Sequence, residues 1–171
     1  MGRESNYMYI GIDNGAVSGA IVALGQCGSW IGSTVMPCRK HRTRNEVDIR
    51  AVHLWLSQIT GANLSNAHYI IEEPNNARNA STAYSMAASF HSLRGFFETK
   101  MLQWDRTTPQ AWQRAMLGKV PKGETKTRAL AVARELWPDE TFYASPRCKT
   151  PHSGIVDAAL ICEYLRRKNE P

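Results

Sequence analysis

Two short apolar runs in this chain each end on a carboxylate, and that pattern constrains the fold more than any bulk property. Tyr7 to Ile12 (YMYIGI) runs into Asp13, and Ala67 to Ile71 (AHYII) runs into Glu72. Runs of this length between turn signals suit buried strands better than helices. Asn14-Gly15 follows the first as a turn, and Pro74-Asn75-Asn76 breaks the second. Strand ends of one sheet meet at one edge, so the two acids are expected to share it.

The remaining pattern fills in around these strands. Ala20 to Leu24 reads as a second strand and Trp30 to Met36 as a third, an opening that suggests a β-meander. The basic stretch Cys38 to Arg44 (CRKHRTR) is expected to be a loop. Asp48 starts a helix in which Val52, Trp55, Leu56 and Ile59 repeat at helical spacing, and Gly61 ends it. Ser81 to Thr99 is a second helix, with Met86, Phe90, Leu93 and Phe97 on one stripe that suits core or dimer interface. Met101 to Trp104 is a candidate strand. Pro109 to Leu117 is a short helix capped by Thr108, and Thr125 to Leu136 a longer one stopped by Trp137-Pro138. Phe142 to Pro151 is irregular, and Gly154 to Arg167 is the last helix. Strands and helices in this order predict an α/β fold with a mixed sheet covered on both faces, organised as one domain over residues 1–171.

Composition narrows the classes. Hydrophobic residues are 43% and charged residues 21%, ordinary for a soluble globular chain. Lys+Arg number 21 against 15 Asp+Glu, a net charge of +6 that favours a polyanionic partner. Cys27, Cys38, Cys148 and Cys162 form no CxxC pair, which argues against a zinc finger or a disulfide scaffold and for free thiols in a reducing cytoplasm. No apolar run approaches the length of a membrane span. A soluble, cytoplasmic protein is the expectation.

The acids carry the chemistry. Asp13 and Glu72 end strands, Glu73 stands beside Glu72, and Asp157 lies early in the last helix, five residues after His152. Magnesium takes oxygen ligands from one or two carboxylates and keeps several waters. Two such ions activate water and stabilise a leaving oxygen in phosphodiester cleavage. Each residue also has an ordinary structural reading: Asp13 as a turn former, Glu72 as a surface carboxylate, Asp157 as a stabiliser of its helix N-terminus, His152 as a hydrogen-bonded loop residue. Only one of Glu72 and Glu73 should face a shared site, because a strand alternates its sides.

Four blocks then match a family. IGIDNGAVSGAIV resembles a first strand with its catalytic Asp, and IIEEPNN with AYSMAASFHSLRGFFE resembles a Glu-bearing strand and its helix. TPQAWQRAML and KGETKTRALAVARELWP resemble a segment with a Pro-x-x-Trp signature and a Lys-bearing helix, and TPHSGIVDAALICEYLRR resembles a C-terminal His/Asp helix. In this order they resemble the RuvC-like Holliday junction resolvases, particularly the phage-type branch. The resemblance implies an RNase H-like fold, with a three-stranded antiparallel meander plus parallel strands. It also implies a homodimer, a pair of magnesium ions (or manganese), and paired hydrolysis of a four-way junction. It assigns Asp13, Glu72, His152 and Asp157 to catalysis and metal binding. Two departures stand out. Ser153 occupies a position that is often acidic in the family, and Pro74-Asn75-Asn76 stands where the bacterial enzyme carries an aromatic wedge.

The expected DNA surface has three basic or polar clusters. Asn75, Asn76 and Arg78, with Asn79, follow Glu72. Lys119, Lys122 and Lys126 surround the glycine-flanked loop before a helix, and Arg147 and Lys149 precede His152. The Arg39-Lys40-His41-Arg42 run is expected to be a solvated or DNA-flanking loop. Two other functions remain open: a junction-binding protein impaired by Ser153, and a nuclease of the same fold acting on flaps or hybrids. The Gly11-x-Asp13-x-Gly15 pattern also suits the phosphate loop of an actin-like ATPase, but the chain is too short for that two-domain fold.

Overall fold

A computed structural model describes residues 7–74 and 79–170. In chain order its elements are β1 (Met8–Asp13), β2 (Ala20–Gly25), β3 (Trp30–Val35), β4 (Cys38–His41), β5 (Arg44–Val47), α1 (Ile49–Ile59), β6 (Ala67–Glu72), α2 (Ala80–Thr99), β7 (Trp104–Thr107), α3 (Pro109–Leu117), α4 (Thr125–Leu136) and α5 (Ser153–Lys168). Five strands make the main sheet, in the order β3-β2-β1-β6-β7. The first three form an antiparallel meander, while β1, β6 and β7 run parallel. Parallel neighbours need a long crossover, which α1 and α2 provide.

The strands bury both faces, so each residue's side is set by the period-2 alternation. Ile10, Ile12, Ile21, Tyr69 and Ile71 point to one side, against Val52 and Leu56 of α1 and Phe90, Leu93 and Phe97 of α2. Tyr9, Val22, Leu24 and Ile70 point to the other, against Trp112 of α3, Val132 of α4 and the apolar surface of α5. A fully buried side chain of this size contributes roughly 1.5–3 kcal/mol. Both layers are thus needed to hold the sheet between them.

Gly11 lets α5 lie on the middle of β1. A Cβ there would stand 2.3 Å from the Ala158 carbonyl oxygen and 2.5 Å from the Cys162 amide nitrogen. Gly154 seats the first turn of the same helix on the loop after β1, where a Cβ would come 1.9 Å from the Ser18 carbonyl oxygen. These two close approaches fix where α5 begins relative to the strand ends.

Two expectations are corrected. The stretch 38–44 does not loop. Cys38–His41 and Arg44–Val47 pair as an antiparallel hairpin, turning at Arg42, whose φ is 53°. Its register sets Arg39 against Glu46, an ion pair at 3.9 Å, and Val47 anchors it in the core. The strand expected at Met101–Trp104 starts instead at Trp104. Met101 takes a left-handed φ of 52° in the turn that ends α2, and β7 pairs with β6 from Tyr69 to Glu72. Cap chemistry follows the sequence more closely. Asp48 accepts from the Arg50 and Ala51 amides, and Thr108 accepts from Ala111. The four cysteines are free thiols, and among the described residues no helix is long and apolar enough to cross a membrane.

Candidate active site

The parallel pairing of β1 with β6 runs from Met8 opposite Ala67 to Ile12 opposite Ile71. The next step puts Asp13 beside Glu72 at the same level of neighbouring strands, which lie about 4.8 Å apart. Both follow residues of the α1–α2 side, Ile12 and Ile71, so alternation sends both carboxylates toward α5. Asp157 sits on the second turn of α5, the helix seated by Gly11 and Gly154 over these strand ends. Three acids from three separate stretches therefore face one another.

Their electrostatics reflect that crowding. Burial pushes the Asp13 carboxyl up to about 6, offset in part by the Gly15 amide, which donates to its Oδ1 at 3.2 Å. Burial raises Glu72 to about 7. The Trp112 Nε1–H donates to its Oε1 at 2.6 Å and opposes the rise, while the Asp13 and Asp157 charges add to it. Burial and the Asp13 charge raise Asp157 to about 7, against the pull of Lys126. Desolvated acids that repel one another hold protons unless a cation joins them.

The donor set suits a hard divalent cation: three carboxylates supply oxygen, the ligand such ions prefer. His152 caps the start of α5, and its buried Nδ1 lacks a hydrogen-bond partner, leaving a nitrogen available there. Among the described residues, no three His, Cys, Asp or Glu side chains are gathered closely enough to hold a metal ion as they stand.

The other expected residues fall around this centre. Lys126 shares a cavity of about 200 Å³ with Ser153 and Asp157. Lys119 and Lys122 are exposed on the loop between α3 and α4, and Arg147 and Lys149 are exposed before α5. Asn75, Asn76 and Arg78 lie outside the described residues. Asn79 caps α2, accepting from the Thr82 amide at 2.8 Å. Glu73 turns away from the site and pairs with Arg106 at 3.3 Å.

Two partners of Glu72 escape a reading by sequence. Trp112 holds its carboxylate, and the Asn14 amide, nearly fully buried, donates to its backbone carbonyl at 2.6 Å. Asn14 reads as a turn residue, and the Pro109-x-x-Trp112 spacing marks a helix start without saying which acid the indole meets.

The sequence matches no protein-family profile and no curated protein. Solved structures do match. RuvC from Thermus thermophilus, in complex with a Holliday junction substrate, superposes with a TM-score of 0.53 over 92% of this chain and 92% of that one, at 14% identity. A second structure of Thermus thermophilus RuvC gives the same TM-score and identity over 94% and 96%. This chain has a RuvC-like fold. The mixed sheet, its strand order and the helices on both faces are those of the RNase H-like architecture.

Proposed function

We propose that this chain is a metal-dependent DNA endonuclease that resolves four-way junctions, acting as a single nuclease domain in a homodimer in the cytoplasm. The observation that carries the reading is the meeting of Asp13, Glu72 and Asp157 on one face of a RuvC-like sheet, each with its proton affinity raised toward neutrality. The fold alone hosts many activities, and the chemistry of the site distinguishes among them. The junction substrate bound by the Thermus thermophilus protein supports branched DNA as the partner. Each chain carries one such cluster, and paired cuts need two, which a twofold dimer supplies.

In this reading Asp13, Glu72 and Asp157 hold magnesium or manganese, with His152 as a nitrogen ligand or a proton donor. A bound divalent cation would supply the positive charge that phosphodiester hydrolysis needs at the reacting phosphate. The chain's own residues do the rest. Trp112 and Asn14 fix Glu72 in one orientation, as outer partners of metal ligands commonly do. Lys126 sets a positive charge beside Asp157. His152, an imidazole at the start of α5, is suited to protonate the leaving sugar oxygen as the phosphorus–oxygen bond breaks. Lys119, Lys122, Arg147, Lys149 and the stretch holding Asn75, Asn76 and Arg78 would contact the phosphates around the cleft.

The test is cleavage of a four-way junction, a linear duplex, a flap and an RNA–DNA hybrid, each with magnesium and with chelator. Symmetric cuts in the junction alone, lost with chelator, are expected. Comparable cutting of the hybrid or the flap would move the function to another nuclease of this fold. Tight junction binding without cutting would mark a binding protein.

A further inference from the structure

The proposed chemistry leaves the β4–β5 hairpin unused, although it is the most basic element of the chain. Arg39, Lys40, Arg42 and Arg44 stand on it against one acid, Glu46. Every residue of β4 is exposed, so these cations do not serve packing. Facing the hairpin, α2 presents Tyr84, whose side chain is 63% exposed. The Arg44 guanidinium lies 5.2 Å from the Tyr84 ring centroid. A large ring left in water gains little from the hydrophobic effect, yet a cation holds this one in a defined position.

The surroundings link this ring to the acids. Arg44 and Lys40 line a cleft of about 600 Å³ together with Asp13 and Glu72. Arg44 also lines an adjoining hollow of about 620 Å³ with Tyr84. A path therefore runs from the carboxylates past two cations to an exposed aromatic ring. Alternating cations and rings along a groove suit an unpaired nucleic-acid strand: cations follow the phosphates, and a ring takes the face of a base. In duplex DNA that face is covered by the neighbouring pair, and only the cations would find a partner.

We propose that the β4–β5 hairpin and Tyr84 form a stacking platform for an unpaired DNA strand that leaves the carboxylate cleft, with Lys40 and Arg44 on its phosphates and the Tyr84 ring on a base. The inference rests on the nucleic-acid reading above and adds the strand state that the protein recognises.

The test is binding of the whole chain, in chelator, to oligothymidylate and to a linear duplex, with Tyr84→Ala, Tyr84→Phe and Lys40→Ala. Loss of one stacked base should weaken oligothymidylate binding about tenfold in Tyr84→Ala. Duplex binding should stay within about twofold, and Tyr84→Phe should bind both probes as the parent does, because stacking needs only the ring. Lys40→Ala should weaken both probes and flatten the single-strand salt slope by about 0.7. Unchanged oligothymidylate binding in Tyr84→Ala, or equal losses on both probes, overturns the platform. Junction cleavage with magnesium, run in parallel, separates the two ideas. A parent that binds the strand through Tyr84 but cuts nothing keeps the platform and sinks the nuclease. A parent that cuts while Tyr84→Ala binds normally does the reverse.

Discussion

Helix α5 carries a half-buried and a buried acid under two turns apart, Asp157 and Glu163, and they are treated in opposite ways. Glu163, 3% exposed, is tied to the Arg166 and Arg167 guanidinium groups at 2.7 Å each. Burial alone would push its carboxyl up, but hydrogen bonds from the two arginines more than reverse this and hold it below the ordinary range. Arg166 also reaches Glu170, closing a small network at the end of the helix. Asp157 and its neighbours have no such arrangement. Glu72 receives a neutral indole, Asp13 a backbone amide, and Asp157 only the field of exposed Lys126. An acid that serves the fold brings its cation on the chain. Asp13, Glu72 and Asp157, half-buried and left without such a partner, are the acids proposed above to take a cation from outside.

The largest expected effect breaks that contrast by function. Replacing an outer partner of a metal ligand costs about 10–100-fold, so losing the ligand itself should cost more. Asp13→Asn should therefore lower junction cleavage at least about a hundredfold while junction binding persists. Glu163→Gln should leave cleavage intact but strand Arg166, lowering stability by about 2–3 kcal/mol, or roughly 5–10 °C in the melting temperature. Equal loss of cleavage in both variants, at temperatures where both are folded, would erase the distinction. Trp112→Phe sharpens it further. Without the indole N–H, cleavage should fall about tenfold through a loosened Glu72, beyond what any change in melting explains.

A smaller effect lies in the pH dependence of the metal-free protein. The folded state holds the Asp13, Glu72 and Asp157 protons more tightly than the unfolded chain does, with pKa values raised to about 6, 7 and 7. Their contribution is therefore most favourable at low pH and is lost as the pH rises from about 4 to about 7. For an independent group the loss is roughly 1.4 kcal/mol for each pH unit that separates its unfolded and folded pKa values. Glu163 has the opposite sign: its lowered pKa favours folding above the unfolded value and loses that favour in acid. Asp13→Asn should raise the metal-free melting temperature at pH 8 and change it little at pH 4. A rise of the same size at both would mean these protons are not the cause.

The smallest expected effect concerns Ser153, which lines the same cavity as Asp157 and Lys126. A hydroxyl is a poor magnesium ligand beside a carboxylate, and manganese accepts nitrogen ligands, the role proposed for His152, more readily. Ser153→Asp should raise cleavage several-fold at low magnesium, with little change when metal is saturating. A parent already saturated at low magnesium, with no gain from Ser153→Asp, would show that the Ser is harmless.

Legibility in the sequence followed the kind of signal each element carries. β6, α3 and α4 fall where apolar patterning, caps and prolines place them, because those signals are local. The hairpin was hidden because charges, not alternating apolar residues, pair Arg39 with Glu46. β7 (WDRT) is a short strand on the sheet edge with one buried residue, so it lacks the apolar run that marks β1. The meeting of the acids of the candidate site was legible because strand ends and alternation point them. Trp112 was not, since its bond to Glu72 spans 40 residues and depends on how α3 docks on the sheet. Asn75, Asn76 and Arg78 fall outside the described residues, so the part in DNA binding proposed for them rests on their proximity in sequence to Glu72.

The central claim is that Asp13, Glu72 and Asp157 form a cation site, and a magnesium titration of the melting temperature at pH 7.5 tests it without relying on activity. Ligand binding to the folded state alone stabilises by about 2.7 kcal/mol at a hundred times its dissociation constant. For a chain of this size that corresponds to a rise of roughly 5–10 °C. The parent and Glu163→Gln should both show this rise, while Asp13→Asn should show little or none. A rise of the same size in Asp13→Asn, or none in the parent up to high magnesium, would contradict the account.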